Sequence, residues 1–377
     1  MTEIVIIGGG IVGASVAYRL ALTGARVTLL EAGGLAGGTS GASFAWLNAN
    51  NKPPLAYHIL NTGGMAEHRI LAAEFGVAPW LHLDGNIEWA ADEAGHAALI
   101  EKVGRLRAWG YQVELLTTAE LRALEPDLVP PPGVALAAFF PAEGYADVPL
   151  LVGTLARAAE RAGATIRTGC RVTKVIHASG RVAGVITDSG ERIAAEMVVS
   201  CVGRWSGEFA RIAGFHLPME PTVGMLVVTA AAPVRLRAVL NSPTINVRPD
   251  GGGRLRLQAT DFDEITTPDM PTTPLPETAH RVYERAVSVL PHLAGTPIEA
   301  ALVGVRAIPG DGYPVVGPAP GMEGLYVVCT HSGVTMGPLL GRIVAREITT
   351  GAVDSRIATF RPERLIRHRG GDESIQR

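Results

Sequence analysis

An α/β fold of two interleaved domains is predicted from three observations. The chain opens with an apolar run, a glycine turn, a helical stretch and a second apolar run; short β-rich segments then fill the middle; and two late apolar runs end in glycine turns. The length, 377 residues, suits two to three domains at about 150 residues each. In order, residues 4–7 read as a buried strand, 11–23 as a helix and 26–31 as a second strand, together a βαβ opening. Asp84-Gly85 between apolar stretches predicts a hairpin turn. Apolar residues at helical spacing predict a helix within 91–109, and Thr117 with Glu120 forms a capping-box pattern before a short helix that Pro126 stops. Pro130-Pro131-Pro132 marks an exposed connector. Residues 150–162 read as an amphipathic helix. Residues 164–202 and 221–258 alternate β-rich runs with turns, the last of them Pro249-Asp250-Gly251-Gly252-Gly253. The arginines of 361–377 read as a solvated terminus.

Composition excludes several classes. With 47% hydrophobic and 18% charged residues the chain lies far from disorder. A formal charge of −3 offers no global positive field for a phosphate backbone, so no nucleic-acid partner is expected. Cys170, Cys201 and Cys329 are far apart and read as buried residues in a reducing compartment. The ten histidines show neither HExxH nor ligand-like clustering, so no metal is expected. No run of 18 or more apolar residues suggests a transmembrane segment. Met1-Thr2-Glu3 lacks the basic start of an export signal, and a cytoplasmic location is expected.

Gly8-Gly9-Gly10-Ile11-Val12-Gly13 contains GxGxxG, which a chain this rich in glycine produces by chance about 0.6 times. Its context gives it meaning: it follows a strand, opens a helix, and Glu31 ends the second strand. Gly8 permits the tight turn, Gly10 lets the backbone approach a pyrophosphate, Gly13 allows close helix–strand contact, and Glu31 accepts ribose hydroxyls. An adenine dinucleotide is therefore expected. GxGxxG occurs once, so there is one dinucleotide site, for a nicotinamide or a flavin cofactor, and no second module for a nicotinamide; if the cofactor is a flavin, its electrons enter directly from an organic substrate. The apolar runs 197–203 and 325–333 return to the first unit late in the chain, as large flavin sites require.

On these residues, together with Gly38-Thr39-Ser40-Gly41-Ala42-Ser43, residues 114–126, Gly203-Arg204-Trp205-Ser206, Gly304-Val305-Arg306, residues 311–318 and His331-Ser332-Gly333, the chain resembles the FAD-dependent D-amino-acid oxidase superfamily. Its glycine oxidase, sarcosine oxidase and D-amino-acid dehydrogenase branch is the one meant. The resemblance implies an FAD-binding Rossmann-like domain (1–85, 145–220 and 300–377) interleaved with a β-rich α+β substrate domain (86–144 and 221–299). It implies that Thr39, Ser40 and Ser43 lie along the pyrophosphate and ribityl chain and that Val172 contacts the adenine side. Gly203 joins the cofactor set, with Gly8, Gly10, Ile11, Val12, Gly13 and Glu31. Gly333, Val334 and Thr335 would open a helix whose positive end faces the flavin, where the reduced ring carries negative charge. Relatives with histidine-linked FAD carry that histidine where this chain has Ala42 and Ser43, so noncovalent FAD is expected. Two further departures are Ala307 in place of proline and Thr330 in place of glycine.

Catalytic expectations centre on Arg306 and His331. By the resemblance Arg306 holds the substrate carboxylate through two parallel hydrogen bonds, with a structural ion pair as the rival role. His331 either bonds flavin or substrate or is a satisfied turn histidine. Arg248 lines the same pocket or ends a solvated strand. The amide-rich run Trp46 to Lys52 reaches the flavin or forms a surface loop. The implied reaction removes a hydride from the carbon bearing the primary or secondary amine of a small amino or imino acid, with oxygen or a quinone-type compound as the electron acceptor. A 2-hydroxy-acid dehydrogenase on the same fold remains open, as do a flavoprotein subunit of a larger amine dehydrogenase complex and a homo-oligomer.

Overall fold

The computed structural model describes residues 2–220 and 222–368. The opening unit forms as expected: strand Glu3–Ile7, helix Ile11–Ala21 and strand Arg26–Leu30. Ile4, Ile6 and Leu29 are buried, because a parallel sheet covered on both faces needs continuous apolar strands. A six-stranded sheet grows from this unit in the order Val315–Pro318, Leu325–Cys329, Met197–Ser200, Glu3–Ile7, Arg26–Leu30, Thr165–Arg167. Its pairs are parallel except the outermost, Val315–Pro318 against Leu325–Cys329. The two late apolar runs thus return beside the first strand.

Helices Ile11–Ala21, Val148–Arg161 and Gly333–Thr350 cover this sheet. Glycine makes one of the contacts very close. A Cβ at Gly341 would lie 2.6 Å from the Ser15 carbonyl oxygen, and one at Gly337 would lie 2.9 Å from the Ile11 side chain. The Ile11–Ala21 and Gly333–Thr350 helices therefore meet with little side chain between them.

A second sheet has eight strands in the order Ile298–Val305, Val223–Thr229, Leu255–Gln258, Asn246–Pro249, Val239–Asn241, Asn86–Trp89, Leu136–Phe140, Glu114–Thr117. All its pairs are antiparallel except Val239–Asn241 with Asn86–Trp89. The Glu277–Val289 helix lays Ala279, Val282 and Ala286 on it, packed among Val227, Leu257 and Leu293. Ile298–Val305 runs past residue 300, so its last residues deliver Arg306 back toward the first sheet.

Several local expectations form: the Glu93–Ala108 helix, the Thr117 capping box and the three free, buried cysteines. Others change. Asp84-Gly85 is not a hairpin turn. Leu81–His82 pairs with Gly144–Ala146 and Asn86–Trp89 with Leu136–Phe140, so the dipeptide passes the chain between two sheets. The end of the chain is not simply solvated either: Arg361 pairs with Glu347, Arg364 with Asp311, and Arg367–His368 adds a strand beside Phe215–His216. Residues 369–377 of that expected terminus lie outside the described residues.

Candidate active site

Every parallel strand of the first sheet points its carboxyl end toward one cleft, the place where open α/β sheets bind ligands. The cleft has a volume of about 370 Å³. Gly8, Gly10, Ile11 and Val12 line it from the glycine turn and Glu31 from the second strand; Thr39, Ser40 and Ser43 come from the next loop. Val172, Gly203, His331, Gly333 and Val334 complete the predicted set on its wall. Gly13 lies beneath the turn, where a Cβ would sit 1.9 Å from the Gly8 carbonyl oxygen. Gly8 itself has φ +107°, a conformation that L side chains rarely adopt.

Two features orient the polar groups. The Glu31 carboxylate accepts the Gly9 amide at 2.6 Å and the Gly33 amide at 2.7 Å, which fixes the side chain and leaves further lone pairs for the cleft. Ser40 Oγ accepts the Ile11 amide at 3.1 Å, while the Thr39 hydroxyl donates to the Val305 carbonyl at 2.7 Å and ties the loop to the second sheet. Close to Ile11 and Val12, the Gly333–Thr350 helix begins with no side-chain cap, so its first amides favour a ligand's negative charge. Thr335 lies in the first turn of that helix; its buried hydroxyl is turned to the Trp46 carbonyl at 3.3 Å, and it is absent from the cleft wall. A long ligand with a diphosphate near Gly10, a ribose near Glu31 and an electron-accepting ring near Gly333 fits this donor set.

The family described as FAD dependent oxidoreductase matches residues 3–347. The chain belongs to that family. It is therefore an FAD-dependent oxidoreductase of the amine and amino-acid oxidising type. Over 363 residues it is 27% identical to a glycine oxidase of Pseudomonas putida, covering 93% of this chain and 95% of that one. A glycine oxidase of Geobacillus kaustophilus is 28% identical over 98% of this chain and 97% of its own. Its crystal structure superposes with a TM-score of 0.86 over 98% and 99% of the two chains. One of the subunits of opine oxidase from Agrobacterium tumefaciens is 24% identical over 96% and 97%.

Around His331, side chains from several distant segments gather beside the cleft. His331 is open to the cleft and makes no side-chain hydrogen bond or ion pair among the described residues, so it is not a satisfied turn histidine. Its basicity is pushed down, first by enclosure within the protein and then by the cations Lys52 and Arg306. Arg306 is not on the wall of the cleft. Its Nη2 pairs with Asp263 at 2.8 Å and its Nη1 donates to the Val223 carbonyl at 3.2 Å. Ser332, just before the Gly333 helix, shares a hydrogen bond of 2.7 Å with the Tyr57 hydroxyl, and Tyr57 meets Tyr313 edge-on at 5.5 Å.

The run Trp46 to Lys52 is not a surface loop: Leu47, Asn48, Ala49 and Asn50 are buried. The residue that holds it, Glu143, gives no signal in the sequence. Its fully buried carboxylate accepts the Ala49 and Asn50 amides at 2.9 and 2.8 Å, the Asn50 side-chain amide at 2.9 Å and the Tyr111 hydroxyl at 2.7 Å. Burial pushes its pKa up, to about 7, while these donors favour the anion. Arg248 is likewise no solvated strand end. It is 2% exposed, pairs with Asp250 at 3.0 Å, donates to the Phe44 carbonyl and lies 4.8 Å from the centre of the Tyr145 ring. Desolvation lowers its pKa to about 10. Among the described residues no group of three or more His, Cys, Asp or Glu side chains is placed to hold a metal, and no helix is long and apolar enough to cross a membrane.

Proposed function

We propose that this enzyme oxidises the C–N bond of a small amino or imino acid, a primary or secondary amine, to an imine that water then hydrolyses. FAD, held along Gly10, Glu31 and Gly333, would supply the electron acceptor for the hydride that leaves the amine-bearing carbon. The observation that carries the reading is His331: an imidazole open to the cleft, without a partner, beside a helix start and held neutral by enclosure and two nearby cations. A neutral imidazole accepts an amine N–H and helps to orient it. As a proton acceptor it is weak. That favours an amine, whose lone pair moves into the forming imine, over a hydroxy acid, whose O–H needs a placed base. Arg306 receives the substrate carboxylate in this reading. The Asp263 and Val223 contacts occupy one N–H on each terminal nitrogen, and a guanidinium has five. The first amides of the Gly333 helix stabilise negative charge arriving at the cofactor ring.

FAD is held noncovalently in this reading, since Ala42 and Ser43 offer no linking histidine, and acid precipitation should release it intact. The deciding experiment is anaerobic bleaching of the flavin by a panel of amino, N-methyl amino and 2-hydroxy acids. Amino or imino acids should bleach it far faster than their hydroxy counterparts. Faster bleaching by a hydroxy acid, lost in His331→Ala with FAD retained, would replace this reading with the hydroxy-acid dehydrogenase. A second reading, one component of a larger complex, is favoured by the similarity to a relative that is itself one of the subunits of opine oxidase. Tightly copurifying partners and no turnover by the isolated chain would establish it.

A further inference from the structure

Two cations act on His331, and their surroundings differ. Arg306 has a carboxylate partner, Asp263, at 2.8 Å. Lys52 has none among the described residues: its ammonium is half-buried and faces the Tyr57 ring, 5.9 Å from the ring centre. Tyr57 in turn holds Ser332, the neighbour of His331, so Lys52 stands beside the same helix start. The buried acid Glu143 favours the charged form of Lys52 through space but makes no ion pair with it. Each oxygen of Glu143 is already taken by donors of the 49–50 segment and Tyr111, and Lys102 is committed to Glu88 at 2.7 Å. The buried carboxylate thus fixes the loop that carries Lys52 without closing a salt bridge to it. A half-buried ammonium without an ion-pair partner, beside a site that takes charged substrates, is a recognition group awaiting one.

We infer that Lys52 receives a second anionic group on the substrate, so that the preferred amine carries an acidic substituent in addition to the carboxylate held by Arg306. The inference rests on the site reading given above and names its substrate class: amino or imino acids with two acidic groups. A substrate with one carboxylate satisfies one cation and leaves the other enclosed and unpaired. One with two satisfies both, and His331, on which both cations act, meets the amine.

The test uses the FAD-loaded full chain and probes with no amine to oxidise. Succinate and monomethyl succinate, alike in size but carrying two charges and one, are titrated at neutral pH while the flavin absorbance is read. Succinate should bind about tenfold or more tightly than its ester. Lys52→Met should erase that margin with little change for the ester, and Lys52→Arg should keep it. Equal affinities in the parent protein, or a margin that survives in Lys52→Met, would overturn the inference; the parent comparison decides even if a variant fails to load FAD. A succinate margin without bleaching by any amine would sink the reaction reading alone. Bleaching by amines without a margin would sink the role of Lys52 alone.

Discussion

The two ends of the cleft are built by different means. The end near Gly8 and Glu31 is made of backbone within one βαβ unit, and its carboxylate is pinned by amides two and twenty-two residues away. At the end near His331, which lines the cleft, the surrounding side chains come from distant segments and stand behind the wall: Lys52 and Tyr57, and Asp263 with Arg306. Backbone geometry tolerates little change and serves one ligand. Side chains gathered by tertiary folding are replaceable one at a time, which is how one fold comes to serve many substrates.

The largest effect on folding and FAD retention together is expected where backbone touches backbone. Gly13→Val would drive side-chain atoms into the Gly8 carbonyl, and overpacking of this kind costs about 3 kcal/mol. Loss of FAD from the purified protein and a lower melting temperature would be the readout. At the opposite end, Arg306→Ala should keep FAD yet weaken substrate use by on the order of 2–5 kcal/mol, because a charged partner is removed. Anaerobic bleaching at graded substrate concentrations measures it, and unchanged bleaching would free Arg306 from the carboxylate. Glu31→Ala should reverse that pattern, loosening FAD by about 1.5–3 kcal/mol while the protein, once saturated with FAD, needs no more substrate than before. Equilibrium dialysis of FAD gives the first number.

The smallest effect concerns pH. Enclosure lowers the pKa of Lys52 from its usual range to about 8. Between about pH 8 and the unfolded value the unfolded chain therefore binds more protons, and stability rises with pH. Below that window the folded protein carries the full cost of an enclosed charge. Lys52→Met should accordingly raise the melting temperature at pH 7, and the gain should fade as the pH climbs through the window. A gain that stays constant with pH would mean that packing, rather than charge, is responsible.

This contrast also decides what the sequence could reveal. The glycine turn, Glu31 and the returning strands before Gly203 and Gly333 are local patterns with fixed spacing, and each lies on the cleft. Asp263 is separated from Arg306 by 43 positions, and no spacing rule joins an aspartate on a short 3-10 turn to an arginine at a strand end. Glu143 was silent for the same reason: an isolated acid reads as solvent-exposed until the donors that bury it are in place. Arg248 misled because strand periodicity assigns a face but does not say what covers it, here Phe44 and Tyr145. Asp84-Gly85 had the right turn chemistry, and only the pairing of its flanks with different partners showed that it joins two sheets.

The near contact of Gly341 with Ser15 continues to the tips of the two helices, which run side by side in the same direction. Their starts, at Ile11 and at Gly333, come so close that a Cβ at Gly333 would lie 3.8 Å from the Ile11 side chain. Two positive helix ends therefore open onto one spot of the cleft rather than onto two. Negative charge brought to that spot meets both at once, and a bulkier residue at Gly337 or Gly341 would prise the pair apart.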